Sequence, residues 1–337
     1  MKALRYILLL LLVLIIGFSI YIAVQPNSFK VERSRTMKAP NAVVYNNIID
    51  FKNWAAWSSW VEADPEMKIT LPEKTKGVGG SYSWVDENGI GTMKTVATTP
   101  STSITQEMQI GDFPSSDIAW SLKPNEDGTT EVTWTITGKD LPFGFKAFAT
   151  IMGGMDKQIG PHYERSLEKL DSLLVADMQR YNVEIKGITE YGGGFYLYKT
   201  TNANSSNISA KMGENFGAIM QFMGQHGLKQ SGMPLTVYNE MAETVIMSNG
   251  IPVNERVEIP TDSDVSIGFM PKMKALKTTL TGNYTNLPKA WEATMKHLAE
   301  QGLEQSDIKP FEIYTTDPGN YPNPADWKTE IYIPLKE

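Results

Sequence analysis

The chain has 337 residues, 41% of them hydrophobic, and a formal net charge of -7. That acidic balance, without any dense Lys/Arg stripe, argues against a nucleic-acid surface. There is no cysteine, and the three histidines His162, His226 and His297 lie far apart. Disulfides, thiolate chemistry and cysteine-ligated metal are excluded, and no zinc site, other metal or cofactor is expected.

The N-terminus MKALRYILLLLLVLIIGFSIYIAVQP holds an uncharged run over residues 6–24, behind Lys2 and Arg5. Such a run, at ~1.5 Å per residue, nearly matches a hydrocarbon core of roughly 30 Å. It exceeds the apolar core of a cleaved signal peptide and ends in the bulky Tyr21, Ile22 and Val24, so an uncleaved membrane anchor is expected. The positive-inside rule places Lys2 and Arg5 in the cytoplasm. The chain is then single-pass, with its soluble part periplasmic or otherwise extracytoplasmic. Lys30, Arg33, Arg35 and Lys38 on the far side weaken that charge asymmetry.

VERSRTMKAP reads as a strand, and APNAVVYNNIIDFKNW then takes helical spacing, with Val43, Val44, Ile48 and Phe51 on one face and Asn41 as its cap. Strand-like runs follow: GGSYSWVDENGIGTMKTV with a hairpin at Asn88-Gly89, ITQEMQI, SDIAWSLKP, and TTEVTWTITG. From about Phe145 to Leu174 the pattern is helical again, with a stripe of Leu167, Leu170, Leu173 and Leu174. Breaks are expected at Gly153-Gly154 and Gly160-Pro161.

Ala39-Pro40 with Val44-Tyr45, Asp50-Phe51 through Trp54, Trp57 and Trp60, Gly77-Val78-Gly79 before Tyr82 and Trp84, and Gly128-Thr129 before Trp134 carry a resemblance. The segment resembles the START-like, polyketide-cyclase-like (SRPBCC) helix-grip family, which implies a curved antiparallel sheet around a long C-terminal helix. Two readings stand for its tryptophans. They are core packing, or Trp60, Trp84 and Trp134 line a cavity for an apolar molecule. His162 reads as a partly exposed helix residue.

The rest of the chain contains an internal repeat. Gly227-Leu228 aligns with Gly302-Leu303, Gln230-Ser231 with Gln305-Ser306, Pro234 with Pro310, and Tyr238 with Tyr314. Each copy reads strand, helix, strand, strand, with Gly227 and Gly302 in the left-handed position that ends each helix. Gly282-Asn283-Tyr284 with Ala290-Trp291, Phe311-Glu312-Ile313-Tyr314 with Asp317-Pro318, and Thr329-Glu330-Ile331-Tyr332 complete the frame.

That organisation resembles the GyrI-like effector-binding domain, also found as the ligand-sensing half of AraC-type and MerR-type regulators. The resemblance implies a two-module pseudo-symmetric domain that holds bulky apolar, often cationic, molecules in an aromatic cleft around a glutamate. Glu312 matches that glutamate, with Tyr284, Trp291, Glu330 and Tyr314 beside it and Tyr191 at the rim. The repeat mate of Glu312 is Thr236, so the fold itself does not demand a carboxylate there. The alternative is that Glu312 and Glu330 lie on a solvated strand face. The helix-turn-helix that family regulators carry has no counterpart here, so no nucleic-acid partner is expected.

The expected architecture is α+β: a transmembrane anchor over 1–27, a helix-grip domain over 28–176 and a GyrI-like domain over 180–337. The expected function is a membrane-tethered binding protein for a small amphipathic or apolar molecule, cations included. The alternatives are a hydrolase of reactive small molecules with Glu312 as general base, and a non-catalytic envelope-stress factor. Nothing in the sequence sets the oligomeric state.

Overall fold

The computed structural model describes residues 2–86 and 89–336, without the side chain of Lys2. Two compact units divide it, Met1–Ala176 and Asp177–Glu337. Among the described residues the strands form one sheet of seven and one of eight.

The first unit opens with helix α1 (Lys2–Ala23). Ala3–Ala23 is long and apolar enough to cross a membrane, and nearly all of it is uncovered by the rest of the chain. Next come β1 (Phe29–Met37), α2 (Asn41–Ile48), the short helices α3 (Trp54–Trp57) and α4 (Ser59–Ala63), and strands β2 (Lys68–Thr70), β3 (Ser81–Asp86), β4 (Gly89–Thr99), β5 (Ser103–Ile110), β6 (Ser116–Pro124) and β7 (Thr130–Gly138). Helices α5 (Phe143–Ile151) and α6 (Met155–Met178) close the unit. The sheet is antiparallel, in the order β1-β7-β6-β5-β4-β3-β2. Of the expected hairpin, Asp86 pairs with Gly89, and Asn88 lies outside the described residues.

Strict alternation along β6 and β7 turns Ile118, Trp120 and Leu122, and Val132, Trp134 and Ile136, toward α6. Tyr163, Leu167, Leu170 and Leu174 meet them from the helix. Each such side chain fully buried contributes about 1.5–3 kcal/mol, which makes this face the chief source of the unit's stability.

Two sequence expectations fail here. Asn41 is not a cap: Pro40 holds the N-cap position of α2, and the Asn41 amide donates to the Ser101 carbonyl. Gly160-Pro161 does not break α6, although Gly153 and Gly154, at φ of 85° and 98°, do separate it from α5. Pro161 removes one helical N–H. Gly160, however, makes room for Arg33 of β1, whose guanidinium would lie 2.0 Å from a Cβ there. Arg33 reaches Asp156 and Glu164, one turn to either side, and so clamps the helix across its weak point.

The second unit contains β8 (Tyr181–Tyr191), β9 (Gly194–Ala203), α7 (Ile208–Gln225), β10 (Leu235–Met241), β11 (Val245–Val253), β12 (Ser266–Met270), β13 (Met273–Gly282), α8 (Leu287–Glu300), β14 (Phe311–Tyr314) and β15 (Lys328–Pro334). Its sheet order is β12-β9-β11-β10-β14-β15-β13-β8, which reads as two copies placed back to back. The repeat is followed closely. Gly227 and Gly302 have φ of 64° and 61°, and the N–H groups of Leu228 and Leu303 close both helices onto Met223 and Leu298. The Tyr238 N–H donates to the Pro310 carbonyl and the Tyr314 N–H to that of Pro234, each at 3.0 Å.

The outer strands are exchanged. β8, which precedes the first module, pairs with β13 of the second, and β12, which precedes the second, pairs with β9 of the first. Both helices cover the same face of the sheet. α7 sets Ile219, Phe222 and Met223 on Leu197 and Ile251, while α8 sets Ala290 on Leu280 and Ile331, and Leu298 on Leu276 and Ile333.

Candidate functional site

The middle of that covered face is the meeting of the two modules. β10 and β14 pair there, with Thr236 opposite Glu312. Both are buried, Glu312 at 1% exposure. Of the two readings of this carboxylate, the solvated strand face is therefore excluded. Phe311 turns into a cluster on one side of the sheet with Tyr332 and Ile313, while Glu312 and Tyr314 turn to the helix side.

Every polar neighbour of Glu312 is neutral. The Trp291 indole N–H, from α8, donates to Oε1 at 2.6 Å, and the Tyr314 hydroxyl lies 2.8 Å from Oε2. The Tyr238 hydroxyl is close enough to favour the ionised carboxyl as well. Tyr314 stands 2.9 Å from the Thr236 hydroxyl, which accepts from the Asn249 amide at 2.9 Å; Asn249 in turn accepts from Asn215 of α7 at 2.8 Å. Asn215 thus donates to Asn249 and Asn249 to Thr236, while the single Tyr314 hydroxyl proton lies between two acceptors, Thr236 Oγ1 and Glu312 Oε2. Among the described residues no Lys, Arg or His forms an ion pair with Glu312.

Burial pushes the Glu312 carboxyl above its ordinary range, and the donors from Trp291, Tyr314 and Tyr238 pull it part of the way back. Burial, with Glu312 close by, holds the Tyr314 and Tyr238 hydroxyls well above the usual tyrosine range. Rings enclose the site. Tyr238 meets Trp291 edge-on at 5.5 Å, and Tyr284 and Phe216 meet Tyr314 edge-on at 5.6 and 6.1 Å. Tyr284 also leans on Trp327 at 4.7 Å. Tyr284 and Trp291 are only half-buried and form the outer layer over the carboxylate.

Glu330 does not share this site. It is paired with Ile313, and so points to the opposite face, because successive strand residues alternate. There Lys277 binds it at 2.8 Å and the Tyr332 hydroxyl donates to it at 2.7 Å. Tyr191 lies on that same far face, 4.9 Å from Phe311 and 5.4 Å from Tyr332, and is no rim of the Glu312 site. Phe216 joins the site without any sequence signal, and Thr236 and Tyr238, noted in the sequence only as the repeat mates of Glu312 and Tyr314, belong to it too. The repeat itself was the available signal for Tyr238, since it is the mate of Tyr314.

In the first unit the three tryptophans occupy different settings. Trp134 is buried, stacked 4.2 Å from Trp120 and 3.7 Å from Tyr163. Trp60 is half-buried and stacks on His162 at 4.8 Å. The His162 Nδ1 lies 2.9 Å from the Ser59 hydroxyl, and burial lowers the ring's pKa. Trp84 is half-buried, stacks on Tyr82 at 5.2 Å and covers Gly91, where any Cβ would strike its ring. The buried indole N–H groups of Trp57 and Trp134 have no acceptor among the described residues.

Two family models match the chain. Residues 28–175 match that described as polyketide cyclase / dehydrase and lipid transport, and residues 195–336 match the GyrI-like small molecule binding domain. No curated protein matches. Among solved structures, the EcmrR C-terminal domain is 19% identical, with 47% of this chain and 98% of that one covered at a TM-score of 0.41. A Chromobacterium violaceum protein is 18% identical, covering 43% and 96% at a TM-score of 0.32. The protein Ara h 8.0201 is 11% identical, covering 44% and 99% at 0.33. All three TM-scores are below 0.5. The chain thus joins an apolar N-terminal helix to a polyketide-cyclase-like domain over 28–175 and a GyrI-like small-molecule-binding domain over 195–336.

Proposed function

We propose that this protein is a membrane-tethered receptor for small amphipathic cations, held in the second unit against Glu312. The observation that carries the reading is a buried carboxylate whose hydrogen-bond partners are all neutral. Removing an ionised carboxylate from water is costly unless a positive charge compensates it. Here the compensating groups are donor dipoles only, and a ligand cation would complete the neutralisation. Trp291, Tyr238, Tyr284 and Tyr314 offer ring faces worth ~0.5–2 kcal/mol each to a cation. Entry requires Tyr284 and Trp291, the half-buried outer pair, to move aside.

In this reading α1 spans the membrane with Lys2 and Arg5 cytoplasmic, and both units lie on the outer side. The Lys146 ammonium supports retention of α1. It is buried, and two of its three oxygen partners are the carbonyls of Ala23 and Gln25, at the end of that helix. Cleavage beyond them would strand a buried charge. In the first unit the unpartnered Trp57 and Trp134 N–H groups are the polar atoms that an acceptor on an amphipathic guest would satisfy.

A hydrolase reading keeps one supporting observation: burial raises the Glu312 carboxyl toward the range of a general base. It loses Glu330 as an assistant, since that residue faces the other way.

The test is binding of tetraphenylphosphonium and of its neutral isostere tetraphenylmethane to the full chain in lipid nanodiscs, beside Glu312→Gln. Preference for the cation that disappears in the variant supports the receptor. Equal binding of both probes, or an unchanged preference in the variant, overturns it.

A further inference from the structure

Helix α5 is amphipathic the wrong way round. Its one charged residue, Lys146, is buried, and its exposed side is apolar: Phe143 is 50% exposed, Phe148 51% and Ile151 67%. Phe148 and Ile151 stand three residues apart, with Met152 next to them, so they form one continuous patch. A helix on the surface of a soluble domain places its polar residues there instead.

The position of this patch says what covers it. α5 packs against α1, and Lys146 Nζ binds the Ala23 carbonyl at 2.8 Å, the Gln25 carbonyl at 3.2 Å and Asn27 Oδ1 at 3.0 Å. Phe145 stacks on Phe29, just beyond α1, and meets Phe113, itself 45% exposed. α5 is thereby fixed at the level where the apolar helix ends, and Tyr21 and Val24 at that end are themselves exposed. Charged residues bracket the stretch, with Lys139 and Asp140 before it and Asp156 and Lys157 after.

We propose that α5 is a second membrane contact, an interfacial helix lying in the headgroup layer beside α1 with Phe148 and Ile151 in lipid. Such helices bury an apolar face about 5–10 Å into the boundary of headgroups and acyl chains. The occupant is the bilayer, because the patch begins where a membrane-spanning helix would emerge. This inference rests on the reading of α1 as a span.

The chain has no cysteine, so single cysteines can be placed and labelled with nitrobenzoxadiazole in the full chain, reconstituted in phosphatidylethanolamine/phosphatidylglycerol vesicles. Phe148→Cys and Ile151→Cys report on α5, Tyr21→Cys on α1, and Glu126→Cys on the turn at the other end of β7. The expected result is blue-shifted emission, quenched by doxyl-labelled lipid, at 148, 151 and 21 but not at 126. Quenching at 21 with aqueous emission at 148 and 151 overturns the interfacial helix and leaves the span standing. Aqueous emission at 21 overturns both. A blue shift at 148 and 151 that doxyl lipid does not quench shows a protein cover, such as a second copy, and also overturns the proposal.

Discussion

Trp291 and Glu312 form the shortest hydrogen bond of the site, indole N–H to Oε1 at 2.6 Å. An indole nitrogen only donates, so Oε1 stays an acceptor whether or not the other oxygen carries a proton. The tryptophan is also structural. Its ring packs on the Tyr238–Met247 cluster and on the clusters of Leu276 and Ile331. Any guest that displaces Trp291 must offer Glu312 a replacement.

Replacing Trp291 by Phe keeps most of the packing and removes the donor. A buried acceptor left unpaired costs about 1–3 kcal/mol. Hydrogen exchange of the β14 amides should quicken at neutral pH by the corresponding factor. Unchanged protection would show that the bond contributes nothing.

Replacing Glu312 by Gln should weaken a lipophilic cation by about 10- to 100-fold, the range expected when a charge-assisted interaction worth ~1.5–3 kcal/mol is lost. A neutral apolar probe should bind almost as before. Calorimetric titration separates the two, and equal losses for both probes would point to a collapsed pocket instead.

The pH dependence has a definite sign. Since burial raises the Glu312 carboxyl above 4.5, the folded state holds its proton more tightly than the unfolded state. The associated stability is complete below about 4.5 and is lost as pH rises through the folded value. The melting temperature of Glu312→Gln should therefore gain on the wild type as pH rises through that window. Cation binding favours the ionised form, so affinity should strengthen across the same window. A melting difference that stays flat with pH would contradict both.

Two glycines give opposite forecasts. In α7, Gly213 is exposed and has nothing within 4 Å of a Cβ, so Gly213→Ala should stabilise by about 0.5–1 kcal/mol. In α6, Gly160→Ala drives Arg33 off Asp156 and Glu164. It should lower the melting temperature of the first unit despite alanine's better helix propensity. Stabilisation at 160 would show that the arginine clamp is dispensable.

Much of this was legible in the chain. The repeat set the register of the second unit because Gly227 and Gly302 need left-handed backbone, and because Tyr238 and Tyr314 hold equivalent places in the two central strands. Glu312 stood out since a carboxylate among Phe311, Ile313 and Tyr314 is explained only by contact with solvent or by burial with partners. The face of Glu330 was not legible. It depends on the pairing of β14 with β15, which sequence alone leaves open by one residue, and one residue exchanges the faces. The continuity of α6 through Gly160-Pro161 was equally hidden, since the compensating Arg33 lies on a strand far away in sequence. The burial of Lys146 was hidden as well, since the oxygens that hold it come from Ala23, Gln25 and Asn27, far away in sequence.

The exchanged outer strands govern how this protein comes into being. Tyr181 of β8 meets Gly282 of β13, and Tyr191 meets Met273, so β8 leaves the ribosome with no partner yet made. At about 5–20 residues per second, it waits several seconds as an unpaired edge. Neither half of the second unit can close early, because each lacks the strand the other carries. The unit must then form in one late, concerted step, and a chain cut between β11 and β12 would yield two incomplete sheets, not two smaller domains.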